Sequence, residues 1–236
     1  MKLLIGASLA ALAMVASAMP SQAADMPIKG YRPSVVAYYN WTGFYLGVNG
    51  GYGMGHSTWT DPSTPGPAGT TGSFKTKGAV FGGTAGYNYQ LGSIVLGVEG
   101  DYDWSTIKGT TTSLVCPGCE TKNTWLATFR GRAGYAFDRW LPYFTGGLAY
   151  GNIKATTPLG GTESNTKLGY TFGAGLEYAF LSNWSAKLEY LYVHLADGTC
   201  SVPCGSPVPP VDVKFNANLL RVGLNYKFSG PIFSRY

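Results

Sequence analysis

The segment RVGLNYKF, residues 221–228, ends on two aromatic residues, Tyr226 and Phe228, with a lysine between them. Three earlier stretches contain the same pair of aromatics at a spacing of two: AGYNYQ, AGYAFD and GLEYAF. The spacing of two places both rings of a pair on one face of a β-strand. The pairs are Tyr87 with Tyr89, Tyr135 with Phe137, Tyr178 with Phe180, and Tyr226 with Phe228. Aromatic pairs repeated at one level predict a girdle at a lipid interface.

Apolar or aromatic residues alternate with small or polar ones between these pairs, which indicates strands with two unlike faces. The predicted strands are residues 43–53, 78–89, 94–104, 124–137, 142–151, 168–180, 185–195 and 217–228. Short turns near 90–93, 138–141 and 181–184 alternate with long connections near 54–77, 105–123, 152–166 and 196–216. This alternation predicts an all-β fold, an eight-stranded antiparallel transmembrane up-and-down β-barrel with long extracellular loops and short periplasmic turns.

The composition agrees with a surface that is not wet everywhere. Glycine makes up 34 of the 236 residues, and charged residues are only 12%, about half the usual share of soluble domains. A soluble β-sandwich with an aromatic inner face is the alternative, but it does not need aromatics at one end of every second strand. We therefore favour the barrel, and we expect Trp41, Trp140 and Trp184 at the same rim as the aromatic pairs.

The chain begins with features of an export signal. Lys2 precedes an apolar run from Leu3 to Ala18, and small residues at Ser21 and Ala23 suit a signal peptidase. A membrane anchor is the alternative, although no basic stop-transfer cluster follows the run. The predicted organisation is a signal peptide at 1–23, a periplasmic lead-in at 24–40, the barrel at 41–228 and a short C-terminal extension at 229–236.

The opening NWTGFYLGVNGGYG, the repeated strand ends and the closing RVGLNYKF together resemble the porin-family outer-membrane proteins of Gram-negative bacteria, in particular the small surface-antigen barrels of alphaproteobacteria. The resemblance implies an eight-stranded barrel in contact with outer-membrane lipid. It also implies that the barrel-assembly machinery reads a C-terminal signal formed by Arg221, Gly223, Tyr226 and Phe228. Such barrels usually stop on the final aromatic, whereas this chain continues with SGPIFSRY, residues 229–236. The machinery could therefore read Phe228 or the terminal Tyr236.

Charged residues recur on the strand face opposite the aromatics. An eight-stranded barrel is just wide enough inside for side chains, so charges there must be paired. Counting from the short turns predicts four ion pairs: Glu99 with Arg132, Asp101 with Arg130, Glu177 with Lys187, and Glu189 with Arg221. These pairs would fill the lumen as a plug, and the alternative is a gated ion path. We favour the plug because of the interior width.

The four cysteines form two tight pairs in long connections, Cys116 with Cys119 and Cys200 with Cys204. Export to an oxidising compartment favours disulfides, and four cysteines allow three connectivities. Free thiols and a four-cysteine zinc site remain alternatives, although spacing over two distant loops is weak evidence for zinc. We predict no metal and no cofactor.

The formal net charge of +5 is mild and no basic run is present, so we predict no nucleic-acid partner. The two histidines, His56 and His194, and the lack of a Gly-x-Ser-x-Gly elbow give little support for an enzyme, and we predict none. The predicted function is a structural or surface-interaction role in the cell envelope, with the lumen mostly plugged. A porin-like channel for ions or small solutes is the alternative, an enzymatic barrel comes third, and any extracellular ligand is unidentified.

Overall fold

The computed structural model describes residues 39–60, 69–111, 118–157, 162–200 and 211–228. The strands are β1 (Gly43–Thr60), β2 (Phe74–Leu91), β3 (Ile94–Ser105), β4 (Lys108–Thr110), β5 (Glu120–Tyr135), β6 (Trp140–Thr156), β7 (Thr162–Ala179), β8 (Trp184–Cys200) and β9 (Val211–Lys227). Within the described ranges no helix is long and apolar enough to span a membrane. The predicted signal peptide, most of the lead-in and the C-terminal extension lie outside these ranges.

The strands form one closed antiparallel sheet. β1 pairs with β2 on one side and with β9 on the other, which closes the barrel. β3 and the short β4 pair with the same two neighbours, β2 and β5, so they share one position around the barrel. The nine segments therefore occupy eight positions, and the prediction of an eight-stranded antiparallel barrel is confirmed.

The connections alternate in length, as the sequence predicts. The short turns at one end are residues 92–93, 136–139 and 180–183. The longer connections at the other end are residues 61–73, 111–119, 157–161 and 201–210. Gly92 adopts a φ of +61° in the first short turn, and Asp138 has a φ of +52° in the second. The short-turn end is periplasmic and the other end extracellular, by the usual orientation of such barrels.

The strands run farther toward the extracellular end than the sequence predicts. β1 continues to Thr60, and the predicted strand ends at Gly53; β6 continues to Thr156, and the predicted strand ends at Gly151. The outer face becomes polar beyond Met54, so the apolar alternation that marks a strand is lost. The backbone ladder nevertheless continues, because Trp59 and Val213 are buried on the inner face of this extension.

Two aromatic belts border the apolar outer face. The lower belt, near the short turns, holds the predicted pairs together with Trp140 and Trp184. The upper belt was not predicted from the sequence, and its rings contact one another around the barrel in two runs. The upper belt comprises Phe81, Tyr102, Trp104, Trp125 and Tyr150 in one run and Tyr170, Phe172 and Tyr192 in the other.

Trp41 lies at the predicted rim, but its side chain turns inside the barrel and does not join the lower belt. It is only 2% exposed and packs inside the periplasmic end with Val95, Leu141 and Ala179. Its Nε1 donates a hydrogen bond of 3.1 Å to the carbonyl of Asp138. Trp41 precedes β1, so strand alternation does not fix the direction of its side chain.

Tyr39 extends this periplasmic cap. Its ring meets Trp41 edge-on at 4.7 Å, and the Lys227 ammonium lies 4.2 Å from its centroid. Burial raises the pKa of Tyr39 to about 12, so this hydroxyl stays neutral at ordinary pH.

Candidate functional site

A network of buried charges occupies the lower half of the barrel interior. Alternating inward positions of five strands supply it: β3, β5, β7, β8 and β9. Its cations are Arg130, Arg132, Lys187 and Arg221, and its anions are Glu99, Asp101, Asp103, Glu177 and Glu189. Every member is at most 5% exposed. We call this set the lumen network.

Arg130 is the centre of the lumen network. Its Nη2 lies 2.6 Å from Glu99 Oε1 and 2.5 Å from Asp101 Oδ2, and its Nη1 lies 3.1 Å from Glu189 Oε1. The Nε donates to the hydroxyl of Thr128, which in turn donates to Asp101. The guanidinium therefore meets three carboxylates, which matches its planar array of donors.

Arg132 and Lys187 lie on the periplasmic side of the lumen network. Arg132 Nη2 lies 2.6 Å from Glu177 Oε2, and Arg132 Nη1 lies 3.6 Å from Glu99 Oε2. Lys187 Nζ reaches the same Glu99 oxygen at 2.9 Å. The Arg132 guanidinium also lies 4.0 Å from the ring centroid of Tyr143, a cation–π contact.

Arg221 lies on the opposite side of the lumen network. Its Nη1 lies 2.6 Å from Asp103 Oδ2, and its Nη2 lies 2.5 Å from Glu189 Oε2 and 3.4 Å from Asp101 Oδ2. Glu189 thus bridges Arg221 to Arg130. The contacts of Arg221 join β9 to β3 and β8, so they fasten the closing strand to the rest of the barrel.

The structure brings together three of the four predicted pairs: Glu99 with Arg132, Asp101 with Arg130, and Glu189 with Arg221. The pairing of Glu177 with Lys187 requires correction. These residues are opposite each other across β7 and β8, yet Glu177 binds Arg132, and Lys187 crosses the lumen to Glu99. The prediction considered only neighbouring strands, whereas the narrow interior lets long side chains reach the far wall.

The predicted pairs did not include Asp103 of the lumen network, or Tyr45 and Tyr143, which donate hydrogen bonds to it. Asp103 follows the predicted acidic residues at the same two-residue spacing, which was an available signal. Tyr45 and Tyr143 point inward and donate hydrogen bonds of 2.7 Å to Glu99 and 2.9 Å to Glu189. Tyr45 has the parity opposite to the lipid-facing Leu46, but the sequence alone left the faces of β6, and so Tyr143, undecided.

Two glycines make room for these tyrosines. A Cβ at Gly86 would lie 2.5 Å from Tyr45 Cζ, and a Cβ at Gly175 would lie 2.5 Å from Tyr143 Cζ. Both distances are shorter than real Cβ contacts. The glycines in these strands therefore let bulky inner rings reach the carboxylates of the lumen network.

Apolar side chains pack inside the barrel above and below the lumen network. On β8 and β9 the inward residues change from charged to aliphatic just beyond Glu189 and Arg221. The resulting extracellular-side cluster contains Val80, Ile107, Leu126, Ala149, Ile153, Leu191, Val193, Leu195, Phe215, Ala217 and Leu219. The cluster around Trp41 packs inside the periplasmic end. We call the extracellular-side cluster the apolar layer.

The cysteine predictions are only partly within the described residues. Cys119 is buried and disulfide-bonded, and it packs with Trp59, Ala155 and Val213. Cys116, Cys204 and the side chain of Cys200 lie outside the described part, so the connectivity stays open. Within the described ranges no group of three or more His, Cys, Asp or Glu residues is arranged to hold a metal ion.

The two histidines lie on the outer face rather than in the lumen. His194 Nδ1 is 2.5 Å from Asn216 Oδ1, and its ring lies 4.9 Å from that of Tyr170. His56 is opposite the same Asn216 on the neighbouring strand. These contacts place His194 beside the upper belt.

The residues of the predicted assembly signal have separate surroundings. Arg221 belongs to the lumen network, and Gly223 gives space to Lys187, whose Cε would lie 3.0 Å from an added Cβ. Tyr226 and Phe228 face outward, with ring centroids 5.1 Å apart. The signal residues therefore lie on both faces of β9.

Comparisons with known proteins agree with this architecture. Residues 8–228 match the model of the outer membrane protein beta-barrel domain. The 31 kDa outer-membrane immunogenic protein of Brucella melitensis biotype 1 is 37% identical over 246 aligned positions, which cover 97% of this chain and 100% of that protein. The 22 kDa outer membrane protein of Rhizobium leguminosarum bv. viciae is 35% identical over 80% of this chain and 79% of its own length.

Among solved structures, the outer membrane protein OprG from Pseudomonas aeruginosa superposes with a TM-score of 0.49 at 14% identity, covering 81% of this chain and 98% of that one. The family match and the alphaproteobacterial relatives confirm the predicted resemblance and the location in the outer membrane of a Gram-negative bacterium. This chain belongs to the outer membrane protein beta-barrel family.

Proposed function

We propose that this protein is a closed barrel with a structural and surface-interaction role in the outer membrane, and that it does not conduct solutes. The observation that carries the proposal is the filled interior. The lumen network is buried between the apolar layer and the cluster around Trp41. A continuous water path would have to cross side chains such as Leu191 and Leu219, both 0% exposed.

The surface part of the role is supported by the extracellular end of the barrel. The strands project beyond the upper belt at the end of the barrel where the four longer connections join them. Relatives are described as outer-membrane immunogenic proteins, which is consistent with surfaces that antibodies can reach.

Single-channel recording in planar bilayers tests the closed state. We expect no steady openings from the purified protein, because ions would have to cross both the lumen network and the apolar layer. As a matched control, the variant Leu191→Ala/Leu219→Ala thins the apolar layer and leaves the lumen network intact. Steady openings of the unaltered protein would contradict the proposal and favour the porin-like alternative.

A deletion strain separates the structural role from transport. Loss of a structural barrel should increase sensitivity to detergent while the uptake of small solutes is unchanged, and the cloned gene should restore resistance. Slower uptake with normal detergent resistance would instead indicate a channel.

A further inference from the structure

Four lysines lie on a single rung across four neighbouring strand segments near the extracellular end. Lys77 on β2 is directly opposite Lys108 on β4, Lys108 is opposite Lys122 on β5, and Lys122 is opposite Lys154 on β6. Opposed residues of an antiparallel pair share a face of the sheet. These four face outward, because each has sequence neighbours buried on the inner side. We call Lys77, Lys108, Lys122 and Lys154 the lysine rung.

The lysine rung is unfavourable for the sheet when nothing binds it. Directly opposed side chains have Cβ atoms only about 5 Å apart, and like charges there are destabilising. A groove of about 400 Å³ beside it is lined by Lys75, Lys77, Lys108 and Glu120, among others. Glu120 is one carboxylate beside five lysines, the rung and Lys75, so the face keeps a strong positive charge.

The lysine rung lies at a nearly constant distance from the upper belt, on its extracellular side. Lys77 lies four residues beyond Phe81, Lys108 four beyond Trp104, and Lys154 four beyond Tyr150. At about 3.3 Å per residue and a strand tilt of about 40°, the rung lies roughly 10 Å above the aromatic belt. Aromatic belts mark the edge of the hydrocarbon core, so the ammonium groups reach the level of the lipid head groups.

The outer face of β1, β8 and β9 is less basic toward the extracellular end. Asn216 on β9 is flanked by His56 on β1 and His194 on β8, and Thr58 is opposite Lys214. Lys214 therefore has no lysine opposite it on β1. The concentration of lysines on β2, β4, β5 and β6 is local, and it calls for a ligand with several negative charges.

We propose that the lysine rung binds the phosphate groups of a phosphorylated glycolipid in the outer leaflet. Phosphate is the anionic group that lipids present at this depth, and lysine ammonium groups bind it as compact point charges. The upper belt just below offers apolar rings to the acyl chains of the same molecule. Binding relieves the repulsion along the rung, so the lipid should stabilise the barrel.

The test compares two charge-matched double variants in zwitterionic detergent. Lys108→Gln/Lys122→Gln removes the middle of the lysine rung. Lys167→Gln/Lys214→Gln removes two charges at the same end, away from the rung. The probe is fluorescently labelled lipopolysaccharide, with binding followed by anisotropy. We expect the rung variant to lose affinity roughly tenfold or more, since each lysine near an anionic lipid surface contributes roughly fivefold, and the control to lose less than twofold.

Two further arms identify the ligand. Lipopolysaccharide with its phosphates removed should bind the unaltered protein as weakly as the intact lipid binds the rung variant. Inorganic phosphate alone should not compete at equal phosphate concentration, because it lacks the acyl chains. Equal binding of the dephosphorylated lipid, or full competition by inorganic phosphate, would overturn the proposal.

Thermal unfolding of each variant distinguishes a loss of lipid binding from a folding defect. Without lipopolysaccharide the rung variant should unfold at the same or a higher temperature than the unaltered protein, because repulsion has been removed. With the lipid it should gain less than the unaltered protein does, and Lys108→Arg/Lys122→Arg should keep the gain. Equal stabilisation of the glutamine and unaltered forms would refute a role of the rung in binding.

Discussion

Arg130 is fully buried, and its guanidinium faces three carboxylates from β3 and β8. A buried ion pair contributes little net stability compared with a well-packed apolar pair, but removal of one partner leaves an uncompensated charge. The lumen network already contains five carboxylates and four cations. Loss of one of the four cations would therefore destabilise the folded barrel strongly.

We expect Arg130→Met to destabilise the folded barrel by about 3–5 kcal/mol, because Glu99, Asp101 and Glu189 would each lose a partner. Urea unfolding in lipid vesicles and the temperature of the heat-modifiable gel shift measure the change.

The matched control for this prediction is Arg139→Met. Arg139 is exposed in a periplasmic turn and donates only long hydrogen bonds, of 3.3 Å and 3.5 Å, to backbone carbonyls. Its substitution should change stability by less than about 1 kcal/mol. Adding Glu99→Gln and Glu189→Gln to Arg130→Met should restore part of the loss. Equal stability of the Arg130 and Arg139 variants would show that charge pairing does not hold the interior together.

At the scale of the strand, alternation assigns each residue to lipid or lumen. β8 illustrates this, since Leu188 is 51% exposed toward lipid while its neighbours Lys187 and Glu189 are at most 2% exposed inside. Leu188 lies midway between Trp184 of the lower belt and Tyr192 of the upper belt. The sequence of β8 therefore indicates the depth of Leu188 in the membrane as well as the face of the barrel on which it lies.

We expect Leu188→Arg to destabilise the barrel by about 2–4 kcal/mol, the range for arginine at the middle of a lipid-facing surface. The control is Leu181→Arg in the turn before β8, where the leucine is similarly exposed at 55%. Near the interface the cost should fall to about 0–1 kcal/mol. Unfolding in vesicles gives both values, and equal costs would contradict the assignment of this face to lipid.

At the scale of the whole molecule, closure depends on the pairing of the first and last strands. Their register runs from Tyr45 opposite Lys227 to Thr60 opposite Asp212. Phe228 completes the junction, since its amide donates a hydrogen bond of 2.9 Å to the carbonyl of Phe44 and the two rings lie 5.7 Å apart. We therefore propose that assembly depends on Phe228 rather than on Tyr236.

We expect deletion of residues 229–236 to leave insertion into the outer membrane unchanged, and Phe228→Ala to lower the folded fraction several-fold. Tyr89→Ala is the matched control, because Tyr89 belongs to the same belt but not to the terminal strand. Quantification of heat-modifiable protein in outer-membrane fractions compares the three variants. Failure of the truncated chain to insert, with normal insertion of Phe228→Ala, would assign the signal to Tyr236.

The two-residue period of the sequence was sufficient to predict the barrel, its closing strand and the inward direction of Glu99, Arg130 and Arg221. This is possible because the side-chain period of a strand is a local property of the backbone. The strand ends beyond Met54 were missed, because the outer face there is polar and only the inner face remains apolar.

Only the tertiary structure decided which charges meet across the barrel interior. Lys187 binds Glu99 on the far wall rather than Glu177 beside it, and Trp41 turns inside. Such contacts depend on strand stagger and tilt, which set the heights at which distant segments face each other across a closed barrel. Local sequence determines the face of each residue, whereas its partner across the interior exists only after the sheet has closed.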